Sequence, residues 1–229
     1  MPTFGVLAAV GLMLGLSLSL KTARLARLNE EAVWDAGLFA VIAAFVCSRL
    51  LLAITYFDSF RRFPVLLLAV PSLTPTGVLL AAFATAAWLY LHRLPMVRVL
   101  DAWAAPAALV WGFLALGHFA AGSDPGMPAA RLGIAFPGES TPLHPVALYA
   151  AACGFGLAAA LWMLLLRRVD ASLAGPGLLA AGVAQFLLTF LRQPLSPSLA
   201  GLDPLEWIAV AMIVSGAWLL ARRVPHHRP

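Results

Sequence analysis

Runs of about 20 consecutive apolar residues recur along the whole chain and constrain its fold more than any other feature. Seven such runs cover residues 4–20, 34–57, 66–91, 102–121, 146–166, 178–191 and 205–221. A helix of about 20 apolar residues spans the hydrocarbon core of a bilayer. Only helices and closed barrels satisfy their backbone groups in lipid, and these runs are continuous rather than alternating. The pattern therefore predicts seven transmembrane helices.

The charged residues are too few for a soluble protein. They make up 11% of the 229 residues, whereas a soluble domain carries about 25%. The mean hydropathy of +0.91 agrees with this reading. We therefore predict an all-α, polytopic membrane protein that forms one transmembrane domain over residues 1–229, without a soluble module.

The basic residues between the apolar runs predict the orientation of the helices. The loops on one side carry ten Lys and Arg residues: Lys21, Arg24, Arg27, Arg93, Arg98, Arg167, Arg168, Arg222, Arg223 and Arg228. The loops on the other side carry four: Arg61, Arg62, Arg131 and Arg192. Cytoplasmic loops hold the excess of Lys and Arg. The N-terminus is thus predicted outside and the C-terminus inside, and the net charge of +5 reflects topology rather than a nucleic-acid partner.

Local signals predict where some helices begin. Pro71 and Pro75 interrupt the third run, so we expect a broken or re-entrant piece near residues 64–76 before a spanning helix from about Gly77. Asp101 is predicted to cap the fourth helix, and Asp203 precedes Pro204 at the start of the seventh. The two cysteines, Cys47 and Cys153, lie within apolar runs, so no disulfide is expected.

Polar side chains concentrate between residues 114 and 149, where a loop of about 25 residues separates two apolar runs. His118 lies near the end of the fourth run, and His144 precedes the fifth through Pro145. A neutral imidazole can act as a general base near pH 7. Alternatively, His118 forms a structural hydrogen bond to a neighbouring helix. His144 would then only belong to the entry of the next helix, and Tyr149 would be an interfacial side chain. The segment from Asp124 to Gly126 is predicted to be a turn.

Two arginines and an amide complete the candidate polar residues. Arg49 lies inside the second run, where a charge is costly and indicates either an anion site or a snorkelling side chain. Gln185, Thr189 and Arg192 are spaced by four and three residues, so they share one face of the sixth helix. They predict either a polar stripe leading a phosphate headgroup to Arg192 or polar contacts between helices.

Seven short motifs in chain order resemble those of the prolipoprotein diacylglyceryl transferase family. They are Phe4-Gly5, Ser48-Arg49-Leu50, the stretch from Asp101 to Pro106, Gly117-His118-Phe119 with Gly122 and Gly126, the stretch from Leu132 to Pro137, His144-Pro145 with Leu148-Tyr149, and Gln185 to Arg192. The resemblance covers nearly the whole chain. It implies the family's transmembrane fold and a bacterial cytoplasmic (inner) membrane location.

This chain departs from the family's pattern at several polar positions. The family's signature Arg falls at Ala115, its Asn residues at His118 and Ala121, its Glu at Ser123, its loop His near Thr76, its late Arg and Glu at Gln185 and Thr189, and the Glu after Leu-Tyr at Ala150. The matching positions that remain include Arg49, Asp101, His144, Tyr149 and Arg192.

The resemblance implies transfer of a diacylglyceryl group from phosphatidylglycerol to a cysteine thiol of a lipoprotein precursor. The expected partners are this anionic phospholipid, the precursor peptide and the membrane; no nucleic acid, cofactor or metal is expected. The catalytic candidates are His144 and His118. The candidates for substrate binding are Arg49, Arg192, Tyr149, Gly117, Gly122, Gly126 and Gln185. The first alternative is a lipid-binding or accessory protein without catalysis on the same scaffold. A haem or quinone carrier that uses both histidines is the second.

Overall fold

A computed structural model of the protein describes residues 2–63, 74–129, 131–136, 140–167, 172–193 and 201–222. Eight helices lie in these ranges: α1 (Pro2–Leu25), α2 (Glu30–Thr55), α3 (Phe57–Arg62), α4 (Pro75–Leu91), α5 (Met96–Ala120), α6 (Val146–Arg167), α7 (Ala174–Thr189) and α8 (Pro204–Ala221). Within them, strand-like pairing is limited to isolated bridges. The predicted all-helical architecture is therefore confirmed.

Five of these helices are long and apolar enough to cross a membrane: α1, α2, α5, α6 and α8. The apolar helices α4 and α7 are shorter, with 17 and 16 residues. Each apolar run of the sequence forms a helix over most of its described residues, and the second run is divided between α2 and α3 at Tyr56. The number of crossings and their orientation stay predictions. The interrupted piece predicted near 64–76 lies mostly outside the described residues. Its last residues are described, and α4 already begins there at Pro75, capped by Thr74, two residues before the predicted start at Gly77.

The helices pack through small residues. In the bundle α5 packs against α1 and α6, α7 packs against α8, and α2 packs against α4. At the crossing of α5 and α6, a Cβ added to Gly154 would lie 2.6 Å from the backbone nitrogen of Gly112. In lipid, the hydrophobic effect does not drive helices together, and close van der Waals packing of small residues takes its place.

Asp101 was expected to cap the fourth predicted helix, and this prediction is wrong. Helix α5 begins at Met96, so Asp101 lies inside it and cannot cap it. Its buried carboxylate instead accepts hydrogen bonds from the backbone N–H groups of Leu173 and Ala174, each at 2.9 Å. These are among the N–H groups at the start of α7 that have no partner within their own helix. The side chain therefore ties the first turn of α7 to α5.

Helix α8 begins as the sequence predicts. Asp203 accepts hydrogen bonds from the backbone of Leu205 and Glu206, and the Glu206 side chain accepts one from the Asp203 backbone. This reciprocal arrangement is a capping box, and Pro204 occupies the first helical turn. It fixes where α8 starts, next to the cavity described below.

Candidate functional site

The chain reverses direction immediately after α5. Gly122 has a φ of +65°, and the backbone N–H of Ser123 donates to the His118 carbonyl at 3.0 Å. Asp124 follows with a φ of +70°, a left-handed conformation that Asp tolerates better than most residues. The predicted turn is therefore present, and it aims the Asp124 side chain toward the end of α7.

Gly126 fastens this turn to two other elements. Its backbone N–H donates to the His144 carbonyl at 3.0 Å, and the next residue, Met127, donates to the Leu191 carbonyl at 2.8 Å. A Cβ at Gly126 would lie 2.6 Å from the first carbonyl oxygen and 2.7 Å from the second. Only glycine fits there without moving the backbone. The loop thus joins the end of α5, the start of α6 and the end of α7.

An ion pair forms where these elements meet. Arg192 Nη2 lies 2.8 Å from Asp124 Oδ2, and the two side chains are 16% and 29% exposed. The Arg192 Nε is buried and has no hydrogen-bond partner among the described residues. The sequence predicts Asp124 only as a turn residue and does not indicate this pairing. The available signal was that both charges fall in loops of the same predicted side.

The ion pair borders a cavity of about 470 Å³ enclosed by α5, α6, α7 and α8. Its lining is Trp111, Leu114, Ala115, His118, Asp124, Ala147, Ala150, Ala181, Gln185, Arg192, Leu205, Ile208 and Met212. Three residues predicted from the sequence, namely His118, Gln185 and Arg192, therefore come together. Ligand pockets commonly combine an apolar wall with a few convergent polar groups.

Two further apolar spaces adjoin this cavity. One, of about 240 Å³, shares the lining residues Trp111, Ala181 and Met212 with it and extends toward the start of α5. The other, of about 560 Å³, shares Ile208 and Met212 and lies against α4 and α8. The polar groups thus stand at one end of a longer, mostly apolar space.

His118 is an exposed side chain on the last turn of α5. Its Nδ1 lies 3.0 Å from the Ser123 hydroxyl, and its ring centroid is 4.7 Å from that of Phe4. Gly117 allows this contact, because a Cβ there would lie 3.0 Å from the Phe4 ring. The ring is therefore held between the first helix and the turn that follows α5.

His144 and Tyr149 form a second polar group outside the cavity lining. The His144 Nδ1 lies 3.4 Å from the Tyr149 hydroxyl, which in turn donates to the Leu132 carbonyl at 3.3 Å. Both distances are long for hydrogen bonds. The backbone of His144 accepts from Gly126, as described above. This pair contacts the loop rather than the Asp124–Arg192 pair.

Arg49 also lies away from the cavity lining. Its guanidinium sits over the Phe60 ring, 5.5 Å from the centroid, which joins α2 to the short helix α3. The neighbouring Ser48 is buried against α4, where its hydroxyl accepts from the Thr74 backbone at 3.2 Å. The structure therefore brings Arg192 and His118 together and places Arg49 on the α2–α4 side of the bundle.

Several departures from the family's pattern fall on the cavity wall. Ala115 and Ala150, where the family has Arg and Glu, both line it, as do His118 and Gln185. Four of the positions at which the family has polar groups thus surround one space, in which the two alanines leave room. Within the described ranges, no group of three His, Cys, Asp or Glu side chains is placed to hold a metal ion.

Comparison with known proteins agrees with this arrangement. The model of the prolipoprotein diacylglyceryl transferase family matches residues 1–222 of the 229. A search of curated protein sequences gives no match to the chain. The family match extends over every helix and over the residues that line the cavity. The chain therefore belongs to the prolipoprotein diacylglyceryl transferase family.

Proposed function

We propose that this protein transfers a diacylglyceryl group from phosphatidylglycerol to the cysteine thiol of a lipoprotein precursor. The observation that carries the proposal is the cavity of about 470 Å³ in which Arg192, His118 and Gln185 converge at one end of an apolar space. A phospholipid has the matching form, with one anionic headgroup and two apolar chains. The family match supports the same class of activity.

In this proposal Arg192 holds the phosphate. A guanidinium has five N–H donors, and Asp124 engages one of its terminal nitrogens. In this proposal, the guanidinium donors that Asp124 does not engage bind the second anion. Charge–charge attraction is strong in a water-poor site, so one cation there stabilises the glycerol phosphate leaving group. Gln185 adds a neutral donor on the same wall.

His118 is the proposed base. A cysteine thiol is mostly protonated at neutral pH, and the thiolate is the nucleophile. The imidazole removes the thiol proton. The sulfur then bonds to the diacylglyceryl carbon that carries the phosphate, and the bond from that carbon to the phosphate oxygen breaks. Glycerol phosphate then leaves with the bonding electrons. The acyl chains occupy the adjoining apolar spaces beside Trp111 and Met212.

The remaining candidate residues take supporting roles in this proposal. His144 is the alternative base, and Tyr149 bonds to it. Gly117, Gly122 and Gly126 set the backbone around the site, as their contacts and dihedral angles indicate. Arg49 is proposed as a separate contact for lipid phosphate near α3.

The same proposal includes the membrane arrangement. The seven apolar helices form one domain that crosses a bacterial cytoplasmic membrane seven times, with the N-terminus outside and the C-terminus inside. The distribution of Lys and Arg between the loops supports this orientation. The end of α5, the loop of residues 122–144 and Arg192 then face the outer side, where a translocated precursor would arrive.

An assay with purified protein, phosphatidylglycerol vesicles and a precursor peptide with one cysteine tests the proposal. Wild type should modify the peptide, and Arg192→Ala should lower the rate by about 10²–10³, as expected when one oriented donor is lost. Arg131→Ala is the matched control, because this exposed arginine belongs to the same loop region but does not line the cavity. Equal rates for Arg192→Ala and wild type would contradict the proposal.

A second candidate function is lipid binding without transfer. Ala115 and Ala150 favour it, because they leave parts of the cavity wall apolar where the family has charged side chains. Under this alternative, phosphatidylglycerol would bind in an Arg192-dependent manner while the peptide stayed unmodified. Transfer abolished by His118→Gln but retained by His144→Gln would instead support the transferase with His118 as its base.

A further inference from the structure

We infer that Ser123 is a positioning residue that fixes the tautomer of His118 and leaves its Nε2 as the proton acceptor. This inference deepens the proposed function and rests on the role of His118 as base. Neither residue type stands at these positions in the family's pattern, so the pairing belongs to this chain. The two side chains have few hydrogens to share, and this number decides which tautomer is favoured.

The Ser123 hydroxyl has two acceptors within reach. It lies 3.1 Å from the His118 backbone carbonyl and 3.0 Å from the His118 Nδ1. The hydroxyl carries a single hydrogen, and a carbonyl oxygen can only accept. If the hydroxyl donates to the carbonyl, the second contact is a hydrogen bond only when Nδ1 carries a hydrogen and donates to Oγ.

The opposite tautomer makes one hydrogen bond fewer. With hydrogen on Nε2, the Nδ1 becomes an acceptor, and the one hydroxyl hydrogen must choose between it and the carbonyl. One of two close contacts would then be left without a hydrogen. The neutral ring is therefore held in the form with hydrogen on Nδ1 and a lone pair on Nε2. A hydrogen bond at one ring nitrogen commonly sets the role of the other in this way.

Two further contacts keep the ring and the hydroxyl in register. The backbone N–H of Ser123 donates to the same His118 carbonyl at 3.0 Å, so the hydroxyl cannot drift from the end of α5. On the other side, the Phe4 ring packs against the imidazole at 4.7 Å between centroids. Among the described residues, Nε2 makes no hydrogen bond, and it is available to a substrate thiol.

The charged groups nearest to this pair are those of the cavity. Asp124 and Arg192 line the same space as His118 and neutralise one another at 2.8 Å. Their close pairing leaves little net charge to favour either ring nitrogen. The choice of tautomer therefore falls to the Ser123 hydroxyl.

Nitrogen NMR of the protein with ¹⁵N-labelled histidine, in lipid nanodiscs without phosphatidylglycerol, tests the inference directly. The His118 signals are those lost in His118→Gln. In wild type at a pH where the ring is neutral, Nδ1 should carry the hydrogen. Ser123→Ala should increase the form with hydrogen on Nε2, and Ser123→Thr, which keeps a hydroxyl, should behave as wild type. Hydrogen on Nε2 in wild type, or no change in Ser123→Ala, would overturn the inference.

The transfer assay gives the second readout. A general base contributes about 10²–10⁴-fold, so partial loss of the right tautomer should lower kcat of Ser123→Ala by about tenfold with little change in KM. Ser123→Thr should restore the rate. An unchanged kcat in Ser123→Ala would overturn the positioning role. If the tautomer is as inferred but wild type transfers nothing, the structural inference is supported and the proposed transferase activity fails.

Discussion

Arg192 places a positive charge at one end of a mostly apolar cavity, and Asp124 partly neutralises that charge. The pair is only partly exposed, and the turn at Gly122 places the carboxylate on the guanidinium. Truncating either partner would leave an uncompensated charge in a poorly hydrated site. Under the proposed function, a bound phosphate would share Arg192 with this carboxylate, and Asp124 would lower the affinity for an anionic headgroup.

Replacement of this carboxylate by an amide should therefore strengthen lipid binding. Asp124→Asn keeps the size of the side chain but removes the negative charge that repels phosphate. We expect about tenfold tighter binding of phosphatidylglycerol, since hydrogen bonds to charged groups contribute about 1.5–3 kcal/mol. Titration of the detergent-solubilised protein with the lipid measures this. Asp35→Asn is the control, because Asp35 is exposed near the start of α2, away from both proposed phosphate contacts. Weaker binding by Asp124→Asn would refute the expectation.

The residues that the sequence did not reveal share one property: their partners are distant along the chain. Asp is a residue type that commonly caps helices, but Asp101 caps α7, where its partner Leu173 is 72 residues away. Asp124 likewise reads as a turn residue and also pairs with Arg192. Local patterns predict local structure, and the choice between two compatible partners depends on packing. His118 and Arg192 are candidate site residues from the sequence alone, because a polar side chain in or beside an apolar helix suggests function without knowledge of its partners.

Helix positions agree best with the predictions where a start signal coincides with the beginning of the apolar run. Val146 begins α6 directly after Pro145, and Asp203 caps α8. Helices α1 and α5 extend beyond their apolar runs, to Leu25 and back to Met96. Hydropathy marks the part of a helix that lies in hydrocarbon, whereas the helix itself continues into the interface as long as its backbone can form hydrogen bonds.

The crossing of α5 and α6 provides a test of helix packing. Gly154→Ala would place its new methyl group 2.6 Å from the Gly112 backbone, so the two helices must separate. We expect a loss of about 1–3 kcal/mol in stability from this overpacking. Thermal unfolding in detergent measures it.

Gly156→Ala is the matched control on the same helix, because a Cβ there meets nothing within 4 Å. It should be neutral or stabilise slightly, since Ala favours helix more than Gly does. If both variants unfolded at the same temperature as wild type, the close approach of α5 and α6 would not contribute to stability.

At the scale of the whole molecule, the loop around Gly126 and the contact from Asp101 lie at opposite ends of α5. The first joins α5, α6 and α7 beside the cavity, and the second joins α5 to the first turn of α7. Helix α7 is therefore attached to its neighbours at both ends, and the cavity wall that it forms keeps its shape.

The predicted orientation can be tested in intact bacterial cells. With the two native cysteines replaced, Ser140→Cys in the outer loop should react with a membrane-impermeant maleimide, because it is exposed and predicted outside. Arg93→Cys, in the turn between α4 and α5, should react only after the cells are permeabilised. The reverse pattern would invert the topology, and labelling of both in intact cells would exclude an odd number of crossings between them.

If α7 crosses the membrane as proposed, the attachment of Asp101 to its first turn would also fix the depth of this helix in the bilayer. With 16 residues and a rise of about 1.5 Å per residue, α7 is about 24 Å long, several ångströms shorter than the hydrocarbon layer of about 30 Å. A short helix of this kind could sink or tilt to relieve the hydrophobic mismatch. Because its first turn is held by a carboxylate on α5, a membrane-spanning α7 would not slide freely, and we expect the bilayer to thin locally to meet it.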